Sequence, residues 1–173
     1  MLKMMALAGA AVLALPFAAP PPAAQPNDAQ IAHIAYTAGK IDIAAGKQAL
    51  AKSHDQRVRA FAEEMVRDHS AVNDQALALV KKLGVTPQDN PTSQALSKDA
   101  AAKLAAYSKL SGKAFDRAYV DNEVAYHKTV NGALSGTLIP SAHNPELKTL
   151  LQTGLKLFTE HQKHAEQLAK SLK

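Results

Sequence analysis

The chain has 173 residues and a formal net charge of +5, with 47% hydrophobic residues, only 5% aromatic residues, no Trp and no Cys. That length suits one domain with a real core, and the lack of Cys excludes disulfides, thiolate metal sites, a Cys nucleophile and a lipidated-Cys anchor. Lys and Arg alternate with Asp and Glu, with no basic block and no basic patch interleaved with aromatics, so the composition indicates no nucleic-acid partner.

Residues 1–24 read as a secretory signal peptide. Lys3 supplies the positive start, Met4 to Leu15 a short apolar run, and Ala18, Ala19, Ala23 and Ala24 the small residues of a cleavage region. Pro16 breaks the run too early for a membrane span. Cleavage near Ala24 is expected, with retention of the leader as an anchor the alternative. Residues 25–27 end a Pro-rich extended spacer. A periplasmic protein with no further transmembrane segment is the expectation.

The bulk comes from Ala, Leu, Val and Ile, the composition of close-packed helices. Helix one is predicted from Asn27 or Asp28 to about Lys52, with Ile31, Ile34, Ala38, Ile41 and Ala45 on its apolar stripe and Asp42 within it. Gly39 and Gly46 leave room for a neighbouring helix. Ser53-His54-Asp55-Gln56 reads as a capping box opening helix two, whose stripe of Val58, Phe61, Met65, Val72, Ala76 and Leu79 takes in His69. Gly84 closes it. A loop over 85–92 leads to a polar crossover helix over about 93–110, and helix three follows over about 113–135. The stripe of helix three runs Phe115, Tyr119, Tyr126 and Val130, with Glu123 on the same face and His127 at its edge. Residues 136–143 read as a turn around Pro140. Asn144-Pro145 opens helix four, whose stripe of Leu147, Leu151, Phe158 and Ala165 includes His161. The pattern predicts an all-α fold over residues 28–173, a ferritin-like four-helix bundle with an extra crossover helix.

Each long helix thus directs a polar, metal-capable residue inward. At about 1.5 Å of rise per residue, His69, Glu123 and His161 fall within about a turn of one level, and Asp42 about a turn nearer its own end. Buried carboxylates without partners are costly. The acids therefore either pair with the imidazoles as a structural network, or Asp42, His69, Glu123, His127 and His161 hold a divalent metal such as Zn, Fe, Mn or Cu. The Glu-x-x-His pair of di-iron bundles is absent; the chain has Glu123-x-x-x-His127 and Glu160-x-x-x-His164, the second read as a surface contact. His33, His54 and His143 fall at exposed positions, Asp68 borders the stripe, and Tyr119 and Tyr126 read as core residues with tethered hydroxyls. No nucleophile–base arrangement or phosphate-cradling loop occurs, so no catalytic residue is assigned.

The segments FAEEMVRDHS (61–70), LSGKAFDRAYVDNEVAYH (110–127) and LFTEHQKHAEQL (157–168), behind an exported leader, resemble the bacterial domain-of-unknown-function family 4142. The resemblance implies a ferritin-like fold and export, and no settled activity. It matches the family's histidines of helices two, three and four to His69, His127 and His161. The family's usual first-helix Glu is Asp42 here, and Tyr126 stands where members commonly have Asp. An envelope-stress or metal-handling role is one expectation; a structural or interaction module of the periplasm, with a protein or envelope partner, is the other. A redox enzyme is a weaker third.

Overall fold

The computed structural model describes residues 25–172; the expected signal peptide lies outside them. Six helices occur in this span: α1 (Asp28–Lys52), α2 (Gln56–Lys82), α3 (Pro91–Ser108), α4 (Gly112–Ala133), α5 (Ile139–Ser141) and α6 (Pro145–Ser171). The long helices α1, α2, α4 and α6 form an all-α, ferritin-like bundle, and α3 crosses between the two hairpins, packed mainly on α1.

Local chemistry sets the boundaries. Asn27 and Gln30 close a reciprocal capping box on α1, through bonds of 2.9 and 3.1 Å. Asp28 then ties the start of α1 to the start of α6, accepting from the His143 and Asn144 backbone N–H groups at 2.8 Å each. The box read at Ser53 is different in detail. Asp55 is the cap of α2 and accepts from Arg57 N, while Ser53 ends α1 and its hydroxyl accepts from Asp55 N. Gly84 ends α2 at φ 64°, a left-handed conformation that lets Val85 N bond back to Val80 O.

The turn expected over 136–143 is largely helical instead. A π turn over Leu134–Leu138 continues α4 into α5. In a straight α-helix the Pro140 ring would meet the carbonyl four residues back; the wider π turn moves that carbonyl away. Gly46 performs its expected role: a Cβ there would sit 3.1 Å from the Ala62 carbonyl oxygen, so α1 and α2 meet backbone to backbone.

Two apolar clusters fill the bundle. One gathers Ala49, Val58, Phe61, Met65, Phe115 and Tyr119; the other gathers Ile31, Ile34, Leu134, Leu138, Leu151 and Phe158. Along their helices, Asp42, His69, Glu123, His127 and His161 fall between these two clusters. The second cluster also borders a cavity of about 620 Å³ that reaches from the rim of the bundle to Phe158.

Candidate metal centre

The polar layer is built by one side chain from α1, one from α2, two from α4 and one from α6. Asp42, His69, Glu123, His127 and His161 are each 2% exposed or less. The ring centres of His69, His127 and His161 form a nearly equilateral triangle with sides of 5.6, 5.4 and 5.5 Å. One ring nitrogen from each lies within 4.8 Å of the other two. The ligand-capable atoms of Asp42, Glu123 and His127 form a second such group, sharing His127. With metal–nitrogen bonds of about 2.0–2.1 Å, three imidazoles on one ion hold their ring centres about 5–5.5 Å apart. The triangle therefore has the dimensions of a three-histidine site.

The tautomers are set by what lies behind the rings. His127 Nδ1 is 3.0 Å from the Glu123 backbone oxygen, and a carbonyl only accepts, so Nδ1 carries the proton and Nε2 the lone pair. His161 Nε2 donates to Asp68 Oδ2 at 3.0 Å, which leaves the lone pair on Nδ1. His69 Nε2 lies 3.3 Å from Asp42 Oδ2 without making a hydrogen bond, and the ring stacks on Phe158 at 4.5 Å and 14°. Fixing one imidazole nitrogen by a carboxylate or carbonyl, with the other free to ligate, is the usual support of metal-bound histidine.

Burial, followed by the neighbouring imidazoles, holds His69 well below the usual histidine range. The same two causes bring His127 down to about 4. Burial also lowers His161, against the pull of Asp68. All three are neutral at pH 7 and able to ligate. Burial raises Glu123 to about 7; burial and then the Glu123 charge raise Asp42 well above the carboxylate range. Burial works against Asp68 ionising, but Arg67 and His161 more than offset it, and its pKa is lowered.

Hydrogen bonds from the protein do not satisfy this layer. His69 Nδ1 and Nε2, His127 Nε2, His161 Nδ1, Asp42 Oδ1 and both Glu123 oxygens are buried without a partner. A proton shared by the two acids would link them and leave the four imidazole nitrogens as they are.

Sequence spacing placed Asp42 about a turn from the others, but the structure brings its carboxylate beside the His69 ring. His127, expected at the edge of its stripe, is fully inside. Tyr126 donates its hydroxyl to Ala38 O at 3.2 Å as expected, whereas the buried Tyr119 hydroxyl has no partner. The expected Glu160–His164 contact does not form: Glu160 pairs with Lys163 at 2.8 Å, and His164 with Glu64 across the helix interface at 2.7 Å. His33 is half-buried, while His54 and His143 are exposed. Two supporting contacts were not foreseen: the Phe158 stack, and the pairing of Glu64 and Asp68 on α2 with His164 and His161 on α6. The sequence carries only half of this signal: each pair repeats at about one helical turn, but that the two turns face each other is set by the packing of α2 on α6.

Fold and polar layer together define an all-helical, ferritin-like bundle with a histidine–carboxylate core. The chain belongs to DUF4142, a domain of unknown function, which matches residues 13–168. Among solved structures it is similar to a protein described as secreted and assigned to DUF305, from Streptomyces coelicolor. The likeness has a TM-score of 0.72 at 11% identity and covers 84% of this chain and 93% of that one. No curated protein matches. Among the described residues no helix is long and apolar enough to cross a membrane.

Proposed function

We propose that this is an exported cation-binding protein that holds one transition-metal ion between His69, His127 and His161, with Asp42 or Glu123 completing the coordination. The observation that carries this reading is the triangle of buried imidazoles whose free nitrogens make no protein hydrogen bond, Asp42 Oδ2 approaching His69 Nε2 only to 3.3 Å. A purely structural network would pair those atoms with one another, because buried polar groups are hydrogen-bonded as a rule.

Imidazole-rich donors favour Zn or Cu(II), and also accept Fe; Mn prefers an oxygen-rich set. A carboxylate ligand balances part of the ion's charge. The site is sealed from solvent, which suits retention of an ion, as in envelope metal handling, rather than turnover, which needs an open coordination position. Export rests on the leader-like first 24 residues and on the secreted description of the structural relative.

The test is thermal unfolding of chelator-treated protein across a Zn²⁺ or Cu²⁺ titration. A ligand that binds only the folded state stabilises it by about 2.7 kcal/mol at 100 times Kd, and Tm climbs with the logarithm of its concentration. A Tm that keeps climbing with metal concentration in the native protein, and does not in His69→Ala/His161→Ala, is the expected outcome. No metal-dependent rise, with a lower Tm on removing His69, would instead identify a structural core network.

A further inference from the structure

The cavity beside the polar layer has a separate set of properties. Small residues on facing helices, Ala35, Ala38 and Gly39 on α1, Ala76 on α2 and Gly154 on α6, create its width. Ile34, Leu147, Leu150 and Leu151 supply aliphatic walls, and Phe158 separates it from His69. At about 620 Å³ it falls within the range of small-molecule sites, about 300–1,000 Å³. No Asp, Glu, Lys or Arg lines it among the described residues, although a fifth of the chain is charged.

Uncharged polar groups are nevertheless present. Asn73, one turn after His69, is buried against the cavity and donates Nδ2 to Tyr36 O at 3.3 Å. Thr92, Thr129 and Thr137 are exposed lining residues at the rim, where Gln25 accepts from the Ser141 hydroxyl at 2.8 Å. The aliphatic walls themselves offer water no hydrogen-bond partner.

We propose that this cavity binds a neutral amphiphile, a long hydrocarbon chain with an uncharged polar head. The chain packs along the Ile34–Leu150–Leu151 walls toward Phe158, and the head meets the threonine hydroxyls at the rim. Such a ligand covers aliphatic walls that are otherwise open to solvent from the rim and leaves no charge without a counter-charge. The lining accounts for the class: a fatty acid or phospholipid headgroup would bring a charge with no opposite charge among the lining residues.

The probe is the uncharged dye 1-N-phenylnaphthylamine, titrated into the chain as exported by a bacterial host and followed by fluorescence, with a chelator present so that the result is independent of the metal site. Saturable enhancement at one site per chain is expected, displaced by monoolein at least tenfold more effectively than by palmitate. Ala76→Phe, which fills the cavity, should weaken dye binding at least tenfold with Tm unchanged or raised; Ala35→Leu serves the same purpose if the first variant does not fold. Absence of enhancement, equal binding in the filled variants, or palmitate displacing as well as monoolein would overturn the proposal. So would uptake that is blocked in chain retaining residues 1–24 or lost on dimerisation, which would assign the volume to the leader or to a second copy.

Discussion

At the scale of single residues, the polar layer can be separated into ligands and supports. Asp68 bonds Arg67 and the side of His161 that faces away from the other imidazoles, so Asp68→Asn should leave the triangle in place and weaken Zn²⁺ binding about 10–100-fold, the usual effect of losing a partner behind a ligating imidazole. Competition against a chromogenic chelator measures this. Affinity equal to that of the native chain would mean that the 3.0 Å bond does not orient the ring.

The titrations give an independent prediction for metal-free protein. Folded His127 resists protonation until about pH 4, against an ordinary value of 6.5. The unfolded chain therefore binds the extra proton in that window, and stability falls as pH drops from 6.5 to 4. Folded Glu123 keeps its proton to about pH 7, against an ordinary 4.5, so its contribution falls as pH rises from 4.5 to 7. His69 and His161 act in the first sense and Asp42 in the second. The slopes, about 1.4 kcal/mol per pH unit for each whole proton, therefore largely oppose each other. Urea unfolding of Glu123→Gln should show a steeper loss of stability on acidification from pH 6.5 than the native chain. An unchanged slope would contradict the assignment.

At the scale of elements, the close approach of α1 and α2 depends on Gly46. A Cβ there would meet Val66 Cγ2 at 2.9 Å and the Ala62 carbonyl oxygen at 3.1 Å. The side chain can yield and the backbone cannot easily do so. Gly46→Ala should destabilise by about 1–3 kcal/mol, the typical range for overpacking, read as a lowered Tm in calorimetry. Unchanged stability would show that the helices part without loss. Helix starts at Asn27 and Asn144 were legible because capping is local chemistry: a side chain bonds backbone two or three positions away. The π turn was not, because Gly136 and Pro140 read as breakers and only packing of Leu134 and Leu138 into the second cluster favours keeping the helix. The cap at Asp55 was displaced for a related reason, since Ser53 was already used in ending α1.

At the scale of the molecule, the inward placement of Asp42, His69, Glu123 and His161 followed from helical periodicity alone, and their approximate level followed from rise per residue. Their mutual distances did not follow. Asp42 reaches His69 through the crossing of α1 and α2, and His164 turns to Glu64 rather than Glu160 because α2 and α6 are neighbours; both are properties of packing between helices. The cavity was equally hidden, since Ala38 and Ala76 read as ordinary stripe residues until the facing helices supply no bulk to fill the space.

The central claim is that the three imidazoles converge on one ion. Anomalous diffraction at the zinc edge from crystals of chelator-stripped, Zn²⁺-reconstituted protein tests it most directly. The predicted result is one dominant peak per chain, about 2.0–2.1 Å from a nitrogen of each of His69, His127 and His161. No peak within the bundle, or peaks only at surface positions such as Glu64 and His164, would contradict it.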